Sequence, residues 1–170
     1  MLIEALDQVK RSHLQLPLSC HWYGSSQGAE ETKRTWQSLI EQKELSQELQ
    51  LHDVAENVSS LLGDSTCLLH PSQREGMSNV VLEAMASKCF VIASQAGESS
   101  KLISHGESGL LFDAHDPTEL KDCIQIYLSL SEEQRWAYAS RARERLLKSV
   151  SNDDYLSSYL CLHEKRMSRC

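Results

Sequence analysis

At 170 residues, 41% of them hydrophobic and 24% charged, the chain has the size and composition of one globular domain with a buried core. This excludes a second full domain, a disordered chain and a collagen-like repeat. Its 17 Lys and Arg against 24 Asp and Glu leave a net charge of -7, which repels polyanions and excludes nucleic acid as the main partner. No apolar run reaches the roughly 18–20 residues of a membrane span, and the opening MLIEALDQVK is amphipathic with an early acid, unlike a secretory signal. A cytoplasmic protein is expected, with peripheral contact to the inner face of a membrane as the weaker expectation.

Leu2, Leu6 and Val9 recur at helical spacing, and LPLSCHWYG then predicts a short strand ending at Gly24. Residues 29–44 are polar with Trp36, Leu39 and Ile40 on one side, which predicts a helix; ELQLHDV follows as a strand and NVSSLLGD as a short helix. TCLLH is an apolar run stopped by Pro71, SNVVLEAMAS a helix, and CFVIAS a buried strand of the parallel-sheet type. A brief SSKLISH helix, the turn GESG and the strand GLLFD come next, then helices at about 117–130, 132–149 and 153–167. Strands alternating with helices predict a Rossmann-like, doubly wound parallel sheet with a helical C-terminal tail over about 132–170. Residues 66–70, 89–94 and 109–113 are expected to be neighbouring strands of it.

Six cysteines (Cys20, Cys67, Cys89, Cys123, Cys161, Cys170) lie far apart, with no Cys-x-x-Cys pair and no histidine at ligand spacing. They read as reduced core thiols, and neither metal nor cofactor is implied. His70, between an apolar strand and Pro71, has either a packing role or a ligand contact, while His52, His105 and His115 in turn-rich segments read as solvated. Arg135, Arg141, Arg143 and Arg145 are interspersed with acids, which favours a solvated face with i,i+4 pairing over a membrane-facing stripe.

Open parallel sheets bind ligands beyond the carboxyl ends of their strands, which draws attention to HPSQREGMSN, the loop between TCLLH and its helix. Glu75 precedes Gly76 in this loop, and Glu83 lies within the helix that starts near Ser78 or Asn79. A helix N-terminus with Ser78 as cap offers backbone N–H groups and a dipole to an anion such as a diphosphate. Carboxylates suit the vicinal hydroxyls of a ribose or hexose. Gly76 permits close backbone approach, and the small Ala84, Ala86 and Ser87 permit tight packing on the sheet. Together these are the parts of a nucleotide-sugar site, although two glutamates at this spacing also arise by chance.

The run HPSQREGMSNVVLEAMASKCFVIAS, followed by HGESGLLFDAHDPTEL, resembles the donor-domain signature of family 4 glycosyltransferases of the two-domain GT-B type. The resemblance is strong over about residues 50–125. It implies that this is the C-terminal, donor-binding half of a retaining glycosyltransferase binding a UDP- or GDP-type sugar, in polysaccharide or glycoconjugate biosynthesis. By the same resemblance Glu75 is the catalytic residue that approaches the transferred sugar, and Glu83 holds the ribose. Backbone amides of Gly76, Met77, Ser78, Asn79 and Val80 meet sugar and phosphates, and the stretch His52-Asp53-Val54, Val54 in particular, falls where the base is recognised.

Departures from the family pattern accompany the likeness. Family donor domains open with a strand, a Gly-Arg loop and a Lys-Gly pair that offset the diphosphate charge, whereas this sequence opens at the helix after them. Glu98 and Lys101 stand where Gly and Glu are usual, and Ser108 replaces Asn before Gly109. Residues 1–170 are accordingly expected to be a single, incomplete donor domain that needs an N-terminal acceptor-binding domain in trans. A non-catalytic nucleotide-sugar-binding subunit and an inactive truncated fragment stand as alternatives.

Overall fold

The computed structural model describes residues 1–12, 18–25, 30–74 and 76–150, with only the backbone of Val150. The predicted tail helix at 153–167 lies outside them, as do Cys161 and Cys170. The chain begins with α1 (Leu2–Arg11), β1 (Cys20–Tyr23), α2 (Glu30–Gln42), β2 (Leu49–His52), α3 (Val58–Asp64) and β3 (Cys67–His70). It continues through α4 (Asn79–Ala86), β4 (Phe90–Ser94), α5 (Ser99–Leu102), β5 (Leu110–Phe112), α6 (Pro117–Ser129) and α7 (Glu132–Val150). Every predicted element that falls on described residues is present.

All strand pairs are parallel, as βαβ connections require. β3, β4 and β5 are neighbours in that order, with Leu68 opposite Val91 and Ala93 opposite Leu111, as their three apolar runs predict. β1 pairs with β2, Cys20 opposite Leu49. The hydrogen-bonded ladder is thus divided, a two-stranded sheet β1-β2 standing beside a three-stranded sheet β3-β4-β5. The five residues of β4 are buried throughout, which explains why its sequence is a continuous apolar run without alternation.

Side chains of β4 alternate between two cores. Val91 and Ala93 face Val81, Leu82, Met85, Ala142 and Leu146 of α4 and α7. Phe90 and Ile92 face the opposite core, which also takes Ala5, Leu6 and Val9 of α1, Leu120 and Ile124 of α6, and Leu49 of β2. α1 packs on α6 and α4 on α7, so helices cover both faces.

Helix ends show how local sequence sets the elements. Asp116 caps α6, its Oδ1 accepting from Thr118 N–H at 2.7 Å, with Pro117 at the first helical position. Asn57 caps α3 through Ser60 N–H at 3.1 Å. Both α2 and α4 close in Schellman turns without glycine. In α2, Leu45 N–H donates to Ile40 carbonyl and Glu44 stands at φ 55°. In α4, Cys89 N–H donates to Ala84 carbonyl and Lys88 stands at φ 55°.

Arg141 and Arg145 of α7 are exposed, as a solvated face requires, but in place of i,i+4 pairing the arginines reach across to carbonyls of other elements. Arg135 donates to Tyr127 and Leu128 carbonyls at the end of α6, at 3.1 and 3.2 Å. Arg143 donates to Ala86 carbonyl at the end of α4, and Arg145 to Leu102 and Lys101 carbonyls at the end of α5. A helix C-terminus leaves carbonyls unpaired and carries partial negative charge. Guanidinium groups satisfy both.

The four described cysteines are free thiols. Burial raises Cys20 to about 11, Cys89 to about 12 and Cys123 to about 11. It raises Cys67 well above the ordinary thiol value, helped by the neighbouring Cys89 and Cys20.

Candidate functional site

β3 ends at His70, and the chain passes through Pro71–Met77 into α4. Neighbouring elements hold this loop on several sides. Ser94, at the carboxyl end of β4 and 1% exposed, donates its hydroxyl to Ser72 carbonyl. Glu98 N–H, in the loop after β4, donates to Gly76 carbonyl at 3.1 Å. His70 Nε2 lies 3.2 Å from the Ser78 hydroxyl. His70 therefore positions the residue that leads into α4.

Ser78 has extended backbone geometry at the N-cap and is 7% exposed, but its side chain makes no capping hydrogen bond. The expected cap is corrected here: the buried hydroxyl turns inward to His70. Ser78 thus places no side-chain oxygen over the N–H groups of the first turn of α4, the end of the helix that carries partial positive charge.

Around that turn, Gly76 and Asn79 are exposed, while Met77, Val80 and Glu83 are half-buried. Asn79 and Glu83, four apart, lie on one face of α4, and Val80 adjoins them; Val81, Leu82, Ala84, Met85 and Ala86 form the buried face. A Cβ built on Gly76 meets no atom within 4 Å. The space above it is open, and nothing in the fold requires a glycine there. The sequence-predicted residues 76–80 and Glu83 are thus brought together around one helix start. Glu75 lies outside the described residues.

Val54 belongs to a different loop. It follows β2, is 65% exposed, and adjoins Asp53, whose carboxylate meets Lys33 Nζ at 2.7 Å. β2 belongs to the two-stranded sheet and not to the ladder that ends at α4. His52 is not simply solvated: its ring stacks on Tyr23 at 4.8 Å and its Nε2 lies 2.9 Å from His21 Nδ1. His105 is exposed, and its Nδ1 accepts from Leu111 N–H at 3.0 Å.

Two supporting positions escaped sequence reasoning, the Ser94–Ser72 tie and the Glu98–Gly76 backbone bond. Each joins the ends of two neighbouring parallel strands, a proximity that pairing creates and linear spacing does not reveal. The only sequence signal is that Ser94 ends the strand CFVIAS and Glu98 stands four residues beyond it. The departures at 98, 101 and 108 have local partners. Glu98 pairs with Lys101 at 2.7 Å, and the Ser108 hydroxyl, 1% exposed, accepts from Ser104 N–H at 2.9 Å.

A doubly wound α/β layer with its loop-and-helix site at the strand carboxyl ends defines the class, one half of a GT-B-type glycosyltransferase. The chain matches glycosyl transferases group 1 over residues 1–145 and belongs to that family. The N-acetyl-alpha-D-glucosaminyl L-malate synthase of Bacillus anthracis is 33% identical over 104 residues, which are 61% of this chain and 27% of that protein. The lipopolysaccharide core biosynthesis mannosyltransferase LpcC of Rhizobium leguminosarum bv. viciae is 41% identical over 64 residues, 38% of this chain and 18% of that one. The chain spans about a quarter or less of the length of these curated relatives. Among solved structures, Anabaena HepE in complex with UDP-glucose has a TM-score of 0.77 at 21% identity, over 99% of this chain and 44% of that one. TarM of S. aureus in a complex containing UDP has a TM-score of 0.75 at 26% identity, over 95% of this chain and 32% of that one. No helix among the described residues is long and apolar enough to cross a membrane.

Proposed function

We propose that the chain binds a nucleoside-diphosphate sugar of the UDP or GDP type across the carboxyl-end edge and serves as the donor half of a retaining glycosyl transfer. The observation that carries this reading is the start of α4, where the Ser78 hydroxyl turns away from the helix N–H groups and Gly76 leaves the approach open. The diphosphate lies against the backbone of residues 76–80, Glu83 takes the ribose hydroxyls, Glu75 faces the transferred sugar, and the base reaches the loop at Val54. UDP in the TarM complex, a relative in fold at 26% identity, supports a uridine nucleotide as the first ligand to try.

Retaining transfer also demands an acceptor held against the anomeric carbon in a site closed to water. One domain supplies one wall. The reading therefore calls for an acceptor-binding partner domain against this one, with the cytoplasm as compartment and glycoconjugate or polysaccharide synthesis as the role. Without such a partner the chain is a donor-binding subunit. Titration calorimetry with UDP, GDP and their glucose and mannose conjugates tests the reading. Glu83→Ala weakens binding by about 1–3 kcal/mol, the range for losing a charged hydrogen-bond partner. No heat with any of these ligands, or full affinity in a folded Glu83→Ala variant, defeats it.

A further inference from the structure

β1 and β2 bring two histidines together on one face. Cys20, Trp22, Leu49 and Leu51 turn into the core that α1 and α6 share, so the alternate positions His21, Tyr23, Gln50 and His52 lie on the opposite face of the two-stranded sheet. The burial of β1 alternates accordingly, with His21 and Tyr23 exposed. In register Tyr23 stands opposite His52 and His21 opposite Gln50. His21 and His52 are therefore diagonal neighbours, a spacing that long and aromatic side chains bridge.

The two rings meet nitrogen to nitrogen. His21 Nδ1 and His52 Nε2 are 2.9 Å apart, with the ring planes inclined by 29°. Each imidazole also has a second partner. The Ser19 hydroxyl stands 2.9 Å from His21 Nε2, and Tyr23 stacks on His52 with ring centroids 4.8 Å apart. Partners of this kind fix the tautomer and orientation of histidines that ligate metals. Two nitrogens bound at right angles to one ion, each at about 2.0–2.1 Å, stand about 2.9 Å apart, whereas tetrahedral angles set them about 3.3–3.4 Å apart. The observed separation matches the right-angle pair.

We propose that His21 Nδ1 and His52 Nε2 form a two-histidine site for a divalent transition-metal ion of square-planar or octahedral preference, Ni²⁺ or Cu²⁺. The ring that carries the proton between the two nitrogens takes it up on its other nitrogen, so both present lone pairs to the ion; on His21 that proton then faces the Ser19 hydroxyl. Among the described residues no third His, Cys, Asp or Glu joins the pair, so water fills the remaining positions. The net charge of -7 draws a cation toward the protein. The ion bridges two neighbouring strands and so stabilises the folded chain over the unfolded one, where the pair is not assembled. The site does not depend on the sugar-nucleotide reading, and its test involves no nucleotide.

The probe is Ni²⁺, which leaves the free thiols unoxidised. The whole untagged chain is titrated in a non-coordinating buffer, followed by calorimetry, by paramagnetic broadening of the histidine ring proton signals and by thermal unfolding. We expect one equivalent to bind, the His21 and His52 signals to broaden first, and the melting temperature to rise. Affinity falls at least about tenfold in His21→Ala and in His52→Phe, which keeps a ring against Tyr23. His115→Ala, at an exposed position in another loop, leaves it unchanged. The two ligand substitutions are independent, so a fold defect in one leaves the other to decide, and the broadening in the unaltered chain needs neither. Unchanged affinity in folded His52→Phe, an equal loss in His115→Ala, or broadening led by other histidines marks an adventitious ion only and overturns the site. Absence of binding in the unaltered chain overturns it too, and leaves the two rings joined by a plain hydrogen bond.

Discussion

Gly76 and Gly109 use the absence of a side chain for opposite purposes. A Cβ on Gly109 would stand 2.7 Å from Val91 carbonyl oxygen and 2.9 Å from Ile103 Cγ2, whereas a Cβ on Gly76 meets nothing. Gly109→Ala is expected to cost about 1–3 kcal/mol of stability, as overpacked sites do, measured by denaturant unfolding. Gly76→Ala is expected to leave stability within about 0.5 kcal/mol while calorimetric affinity for UDP falls. A loss of stability at 76 would mean that the glycine serves the fold. The sequence alone does not separate these two glycines, for each sits in a turn before a helix or a strand. What separates them is the neighbouring strand, whose backbone passes against one and not the other.

Elements are tied together chiefly at their ends. Glu44 is exposed in a left-handed conformation after α2, while Leu45 and Ile40 beneath it are 0% and 1% exposed. Left-handed backbone costs a residue with a Cβ roughly 1–2 kcal/mol, and glycine returns part of that gain through its freer unfolded chain. Glu44→Gly is therefore expected to stabilise the protein by about 0.5–1 kcal/mol, read from the denaturation midpoint. Asp7 joins α1 to the end of α2. Lys43 Nζ at 2.6 Å, and then Arg11 Nε at 2.9 Å, hold its carboxyl below the ordinary value of 3.8. Because the folded-state value is the lower one, its stabilisation is complete above about pH 4 and is lost as pH falls through the folded value. Asp7→Asn is expected to flatten that acid limb in urea unfolding measured against pH. The elements themselves were legible because β3, β4 and β5 are apolar runs bounded by turn residues, and α1 and α6 carry helical periodicity. The arginines of α7 were not. Alternating charges suggest pairing along one helix, whereas Arg143 finds its partner at Ala86, on a helix that only the completed fold brings alongside.

At the scale of the whole molecule, two cores share one layer, and the described thiols lie in them. With Cys20 and Cys123 raised to about 11 and Cys89 to about 12, the thiolate fraction at pH 7 is on the order of 10⁻⁴ or less. In a chain with Cys161→Ser and Cys170→Ser, thiol reagents are expected to label only as fast as the protein opens, so that labelling tracks urea unfolding. Rapid labelling in native buffer would contradict this. The doubly wound class was readable from strand–helix alternation, and the loop site from its place after TCLLH. The division of the sheet was not, since alternation reports that strands exist and says nothing of which edges meet.

The reach of α7 has a consequence for the order in which the protein is made. Arg135, Arg143 and Arg145 close the carbonyl ends of α6, α4 and α5, and Ala142 and Leu146 complete the core over β4. Translation proceeds from the N-terminus at about 5–20 residues per second. A nascent chain that has emerged only as far as α6 therefore exposes three unfinished helix ends and one open core face. The ribosome must release the last described helix before the earlier ones can be sealed, so this domain matures late in its own synthesis and depends until then on whatever shields it.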